Sequence, residues 1–264
     1  MFNRRGKINL VLEDYFNILA EEYGRSRIFG MFLYGSQNYS LDDAESDIDC
    51  HGIIFPSFED IVFNRPPVSK VIETEKGCID VKDIRLFVDN MKKMAPQYLE
   101  TITPYRFWYI ENTFYEMNFE HYFSCNTESI YSYNPYKLYY NLMEGFKNKY
   151  DDFIKSENKN GKHLYHAIRF CDALQRITYR DSYYDIFDYH YHSDNGLLKD
   201  LKRNRVSETR MTKIAAEYLD KFVKLEDKVE KSAIKGWHDP SIEEKCHNEF
   251  LKKVFKKYLG GLND

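Results

Sequence analysis

The chain has 264 residues, is 43% hydrophobic and 17% aromatic, and carries a net charge of −4 with 23 Tyr and 19 Phe. That length allows one large or two modest domains with a real core, and the composition excludes a disordered polymer. The slightly acidic balance excludes a uniformly basic surface, so any nucleic-acid contact must rest on a local patch.

The five cysteines, Cys50, Cys78, Cys125, Cys171 and Cys246, form no Cys-x-x-Cys pair and are expected to be free thiols in a reducing cytosol. Met1–Lys7 is basic but is followed by Glu13 and Asp14 instead of an apolar leader, and no apolar run approaches the ~20 residues of a membrane span. A soluble cytoplasmic protein without a membrane partner is the expectation.

In chain order, Ile8, Leu12, Tyr15, Phe16, Leu19 and Tyr23 recur at helical spacing, with Gly24 placed as a C-terminal cap. Ile28 to Tyr34 is apolar on both faces apart from Gly30, as in a central strand covered on both sides. The run breaks at Gly35-Ser36. After a polar stretch a second strand, Ile48 to Phe55, begins with Asp47 and Asp49, so the segment reads as strand, turn, short helix, strand. Alternation along the strand puts Asp47 and Asp49 on one side and Ile48 and Cys50 on the other, in a core.

Two converging carboxylates repel unless a cation lies between them. Oxygen-only ligands suit a hard ion, magnesium or manganese, better than zinc. A Gly-Ser turn entering a helix offers backbone N–H groups to phosphate oxygens; Gly35 allows close approach and Ser36 adds a hydroxyl.

Gly35-Ser36 followed by Asp47-Ile48-Asp49 resembles the Gly-Ser…Asp-x-Asp signature of the DNA polymerase beta-type nucleotidyltransferase superfamily. The longer string from Tyr34 through Tyr39 to Ser46-Asp47-Ile48-Asp49 is similar to nucleotidyltransferases of phages and bacteria, including those named for an RNA repair pathway. The resemblance is strong over residues 31–60 and 78–91 and weak after residue 160. It implies transfer of a nucleoside monophosphate from an NTP to an acceptor hydroxyl with release of pyrophosphate, assisted by two Mg2+ or Mn2+ ions. In that scheme Asp47 and Asp49 hold both ions, and Gly35 and Ser36 grip the triphosphate.

Ser57 with Asp60 forms a capping box for a short helix through Val62, and Glu75-Lys76-Gly77 joins Val68–Thr74 to Cys78–Lys82 as a hairpin. Asp80 is the candidate third carboxylate, matching the family's third acid, which the resemblance implies holds the catalytic ion and helps deprotonate the acceptor hydroxyl. The alternative is an exposed strand aspartate paired with Lys76 or Lys82. Lys82 is expected to contact the nucleotide. Asp83 precedes the stripe Ile84, Phe87, Val88, Met91 and reads as a helix N-cap. Phe107 to Ile110 reads as a buried strand or packing segment.

A domain boundary is expected near Asn118–Asn126, giving a mixed-sheet nucleotidyltransferase domain over residues 1–120 and a helical domain over 121–264 that closes the nucleotide cleft. The fold class is therefore α+β. One helix is read over Tyr136–Phe146. In the next, Lys162, His166 and Arg169 fall at i, i+4 and i+7, a row suited to the β and γ phosphates, while Leu164, Ala167, Ile168 and Cys171 face inward. A solvated basic face is the competing explanation.

His190 and His192 lack cysteine partners and read as part of a surface loop, not a zinc site. The basic run Lys199 to Lys213, with Lys202, Arg203 and Arg205 at its centre, is either a solvated helix surface or the patch that receives an anionic acceptor such as an RNA end. Met211 to Val229 marks a long amphipathic helix, and Ser241 with Glu244 is read as the cap of a last one ending at Gly260-Gly261. Against the RNA-directed enzyme stand a nucleotidyltransferase with a protein or small-molecule acceptor, a nucleotide-sensing module without turnover, and a scaffold.

Overall fold

The computed structural model describes residues 2–38, 40–102, 108–132, 134–179, 186–187, 195–233 and 240–261. Phe107, His190 and His192 lie outside them.

A first helix, α1 (Phe2–Tyr23), buries Ile8, Val11, Leu12, Tyr15, Phe16 and Leu19 along one stripe and stops where Gly24 turns to φ 83°. It starts well before Ile8, because its first turns carry no apolar stripe for the periodicity to register. Five strands follow, β1 (Ile28–Tyr34), β2 (Asp49–Ile54), β3 (Ser69–Thr74), β4 (Gly77–Asp83) and β5 (Trp108–Tyr109), in the sheet order β3-β4-β2-β1-β5. β2 and β4 are parallel and the other pairs antiparallel, so the sheet is mixed.

Strand alternation divides the core. Met31, Leu33, Cys50, Ile54, Ile79 and Val81 pack under α1. Phe29, Phe32, Ile53 and Phe55 meet α3 (Ile84–Lys92) through Phe87, Val88 and Met91, together with Phe119 and Phe250 from helices later in the chain. The Phe29 and Phe119 rings meet edge to face at 6.0 Å, a favoured aromatic geometry.

The short elements form as their sequences dictate. Ser57 and Asp60 exchange bonds of 3.0 and 2.9 Å at the start of α2 (Phe58–Val62). The Asp83 carboxylate accepts from Arg85 N at 2.8 Å and caps α3. Ser57 N, Arg85 N and their neighbours are among the N–H groups a helix start leaves without intrahelical partners.

The helix expected between β1 and β2 does not form. Among the described residues 35–38 and 40–48 there are turns but no helix: Asn38 N bonds Gly35 O at 2.9 Å, Leu41 N bonds Ser36 O at 3.0 Å, and Ser40 sits at φ 64°. A left-handed residue at that point stops helical continuation. Leu41 is instead drawn into a separate core with Phe153, Leu164, Ile168, Leu198 and Leu201.

α4 (Pro96–Leu99) and a 3-10 turn at Glu100–Ile102 precede β5, and the described elements after β5 are helices: α5 (Thr113–Ser132), α6 (Pro135–Lys155), α7 (Gly161–Thr178), α8 (Asn195–Lys202), α9 (Glu208–Ala233) and α10 (Pro240–Gly261). The expected boundary at Asn118–Asn126 falls inside α5. Helix α10 begins at Pro240, so Ser241 lies within its first turn and not at the cap. Phe222 and Val229 of α9 and Phe250 and Val254 of α10 share one core with Phe29 and Phe32 of the sheet. Among the described residues Cys50, Cys78 and Cys171 are free thiols, and no helix is long and apolar enough to cross a membrane.

Candidate functional site

β1 ends opposite the start of β2, with Tyr34 in register with Asp49. Gly35 then adopts φ 78°, and a Cβ placed on it would lie 3.8 Å from Asp49 Oδ2. The turn and the carboxylate therefore lie next to each other, close enough that a methyl group on Gly35 would be in van der Waals contact with Asp49 Oδ2. Burial alternates as strand geometry requires: Ile48 and Cys50 are buried, Asp49 is half-buried and Asp47 is exposed just before β2.

Asp49 is fixed from the far side by β4, where Cys78 N and Cys78 Sγ lie 3.1 and 3.3 Å from its Oδ1. Burial pushes the Cys78 thiol up to about 11, so it stays protonated and donates. The hairpin presses on the same segment: Ile48 N donates to Lys76 O at 2.8 Å, and a Cβ at Gly77, with φ 147°, would lie 2.5 Å from Ile48 O. Only glycine fits there.

Asp80 sits on the same face, in register with His51. Its Oδ1 lies 2.8 Å from Lys82 Nζ and its Oδ2 3.3 Å from His51 Nδ1. Burial alone would raise this carboxyl, but His51 and Lys82 outweigh it and hold it below the usual range. Lys82 also donates to Ser69 Oγ at 2.7 Å, so it is tied to Asp80 and β3. Of the pairings open to Asp80, Lys82 is the one formed; Lys76 goes to Asp14 at 2.7 Å.

His51 is 1% exposed. Its ring lies between Tyr34, at 4.3 Å and 16°, and Tyr98, at 4.6 Å and 3°, while Nε2 is 3.4 Å from Gln97 O. The sequence signal for His51 is the strand alternation, which assigns it to the same face as Asp49.

The helical half reaches the turn through α8. Lys202 Nζ donates to Ser36 Oγ at 2.8 Å and to Ser46 Oγ at 2.9 Å. Burial lowers its pKa, against the pull of Asp43. Arg203 grips Asp43 with two bonds, one of 2.8 Å from Nε, and Asn195 Nδ2 bonds Ser40 O at 3.1 Å. Arg203 draws the Asp43 carboxyl far below its usual range. Arg205, the third member of the expected acceptor patch, is exposed.

On α7, Lys162 is exposed near the amino end and its charge is felt at Lys202. His166 is half-buried and pushed down to about 3 by burial and then by Arg169, so it is neutral at pH 7. Arg169 departs from expectation. It is 7% exposed and ion-paired with the buried Glu100. The stripe Lys162–His166–Arg169 exists, but the 3-10 turn at Glu100 covers its end and turns a candidate phosphate ligand into a link between α7 and the sheet half. Asn38 Nδ2 also bonds Glu100 O, which ties the turn to that link.

The structure thus brings together Gly35, Ser36, Asp49 and Lys202, with Asp80 and Lys82 beside them, Asp47 at the rim and Lys162 within electrostatic reach. Arg169 is instead paired with Glu100, and Arg205 is exposed. Among the described residues no three His, Cys, Asp or Glu side chains gather closely enough to hold a metal ion. A depression of about 250 Å³ lies along the loop, lined by Gln37, Asp42, Asp43, Ser46 and Ile48 with Lys7 and Ile8. A larger cavity, about 460 Å³, lies away from these acids between Arg25, Glu111, Tyr115 and Tyr258. No protein-family profile and no curated protein matches this chain.

Proposed function

We propose that the protein is a nucleotidyltransferase that moves a nucleoside monophosphate from an NTP to an acceptor hydroxyl. The observation carrying this reading is the left-handed Gly35 facing Asp49 Oδ2, with Lys202 Nζ at 2.8 Å from the Ser36 hydroxyl. A carboxylate and a cationic donor flanking a glycine turn suit a metal-complexed triphosphate, whose negative charge exceeds what one ion neutralises.

Asp47 and Asp49 fit a hard divalent cation: both offer oxygen, Asp47 is exposed, and Asp49 Oδ2 faces the turn. Such an ion would stabilise charge developing on the transferred phosphoryl group. Asp80 fits less well, since its Oδ1 is already ion-paired with Lys82 Nζ at 2.8 Å. Gly35 leaves room for a phosphate oxygen, the Ser36 hydroxyl donates to it, and Lys202 and Lys162 balance its charge. An RNA end is the acceptor we carry forward, with Arg205, Arg210 and Lys213 as the exposed cations left to meet it. A protein or small-molecule acceptor would use the same transfer site.

A nucleotide-sensing module without turnover is the second reading, favoured by the Asp80–Lys82 pair, which neutralises the acid expected to act in catalysis. The test is to incubate the chain with each labelled NTP and Mg2+, with RNA, protein extract or small-molecule pools as acceptor, and to follow melting in parallel. Ligand binding raises the melting temperature with concentration; Asp49→Asn should remove most of that rise. Stabilisation with no transfer to any pool would select the sensor, and an unchanged melting curve with every NTP would dismiss both readings.

A further inference from the structure

Asp80 is the acid expected to share the second metal ion, yet it already has a cation. Lys82 Nζ lies 2.8 Å from its Oδ1, and the Lys82 side chain is only 14% exposed. The ammonium is held in place from several directions: its backbone is in the β4 ladder opposite Ser69 and Ile53, and Nζ also donates to Ser69 Oγ at 2.7 Å. The other carboxylate oxygen faces His51 Nδ1 at 3.3 Å, and that ring cannot swing away because Tyr34 and Tyr98 stack on its two faces.

We propose that the Lys82 ammonium takes the place of the second metal ion on Asp80, so that the nucleotide-loaded site holds one divalent cation, on Asp47 and Asp49. This inference rests on the nucleotidyltransferase reading and narrows it. Before the nucleotide is counted, the acids Asp47, Asp49 and Asp80 carry three negative charges that one divalent ion and the Lys82 ammonium match, and the added charge of the triphosphate falls to Lys202 and Lys162. A further divalent ion on Asp80 would sit against a fixed positive charge in a half-buried site, where like charges repel more strongly than in water. Lys82 would thus act as a positioning residue for Asp80, not as a ligand of the triphosphate.

Native mass spectrometry of the full chain with Mn2+ and a non-hydrolysable analogue of each of the four nucleoside triphosphates counts ions per nucleotide-loaded molecule. One Mn2+ is expected for the wild type and two for Lys82→Met, which keeps the length of the side chain but frees the Asp80 carboxylate. Asp80→Asn should leave the count at one, because Asp80 is not a ligand of the bound ion. Two ions in the wild type, one in Lys82→Met, or loss of the ion in Asp80→Asn would each overturn the proposal while leaving nucleotide transfer standing. No nucleotide-loaded chain with any of the four analogues would overturn the nucleotidyltransferase reading and this inference with it.

Discussion

Lys202 Nζ and Ser36 Oγ are 2.8 Å apart although 166 residues separate them in the chain. The glycine turn is therefore completed by a side chain from α8, and the same ammonium also holds Ser46 at 2.9 Å. Because charge-assisted bonds to phosphate contribute about 1.5–3 kcal/mol, Lys202→Met should weaken NTP binding by roughly 10- to 100-fold. Arg205→Ala, whose side chain is exposed, should leave NTP affinity as it is. Calorimetric titration of both variants checks this, and equal affinities would remove Lys202 from the triphosphate site. A combined replacement of Lys202, Arg203 and Arg205 cannot isolate an RNA surface, since two of the three side chains brace the turn.

Arg169 gives a second expectation. It and Glu100 form a buried ion pair, 7% and 9% exposed, and removing one partner strands the other charge. Arg169→Ala should cost about 3–5 kcal/mol of stability. Arg169→Met with Glu100→Leu should recover much of that loss, because replacing both charges with apolar groups leaves nothing uncompensated. Urea unfolding of the three proteins measures the difference. A direct phosphate ligand would behave oppositely, with Arg169→Ala folding normally and binding NTP weakly.

The parts of this structure that the sequence made legible are those set by neighbours in the chain. β1 is recovered over Ile28–Tyr34, the Ser57–Asp60 box caps α2, and Asp83 caps α3, since each depends on alternation or on bonds spanning a few residues. The facing of Asp49 and Asp80 followed from the same alternation. What stayed hidden depends on distant segments. Whether the Lys162–His166–Arg169 row meets solvent is decided by Glu100, and whether residues 35–48 form a helix is decided by a core built from α6, α7 and α8 around Leu41. The Lys202–Ser36 contact has no local signature at all.

The final expectation concerns acid. His247 on α10 is 1% exposed and hydrogen-bonded to Tyr122; burial and then Lys92 push it down from 6.5 to about 4. His166 is pushed from 6.5 to about 3. Both imidazoles stay neutral in the folded chain while the unfolded chain protonates them below pH 6.5, so the unfolded state binds more protons and stability falls as pH drops through that window. Each group contributes a slope of about 1.4 kcal/mol per pH unit between 6.5 and its folded value, and the two together roughly 3. Asp43 and Asp80 act in the same direction lower down, since their folded pKa values lie below the ordinary carboxylate range and their contribution is lost as they protonate. Replacing His247→Gln removes one titrating group and keeps an amide that can donate to or accept from the Tyr122 hydroxyl, so the slope between pH 6.5 and 4.5 should fall by about half. Urea midpoints of wild type and His247→Gln at pH 6.5, 5.5 and 4.5 decide this; parallel lines for the two proteins would show that His247 is already protonated in the folded state and that the acid sensitivity arises elsewhere.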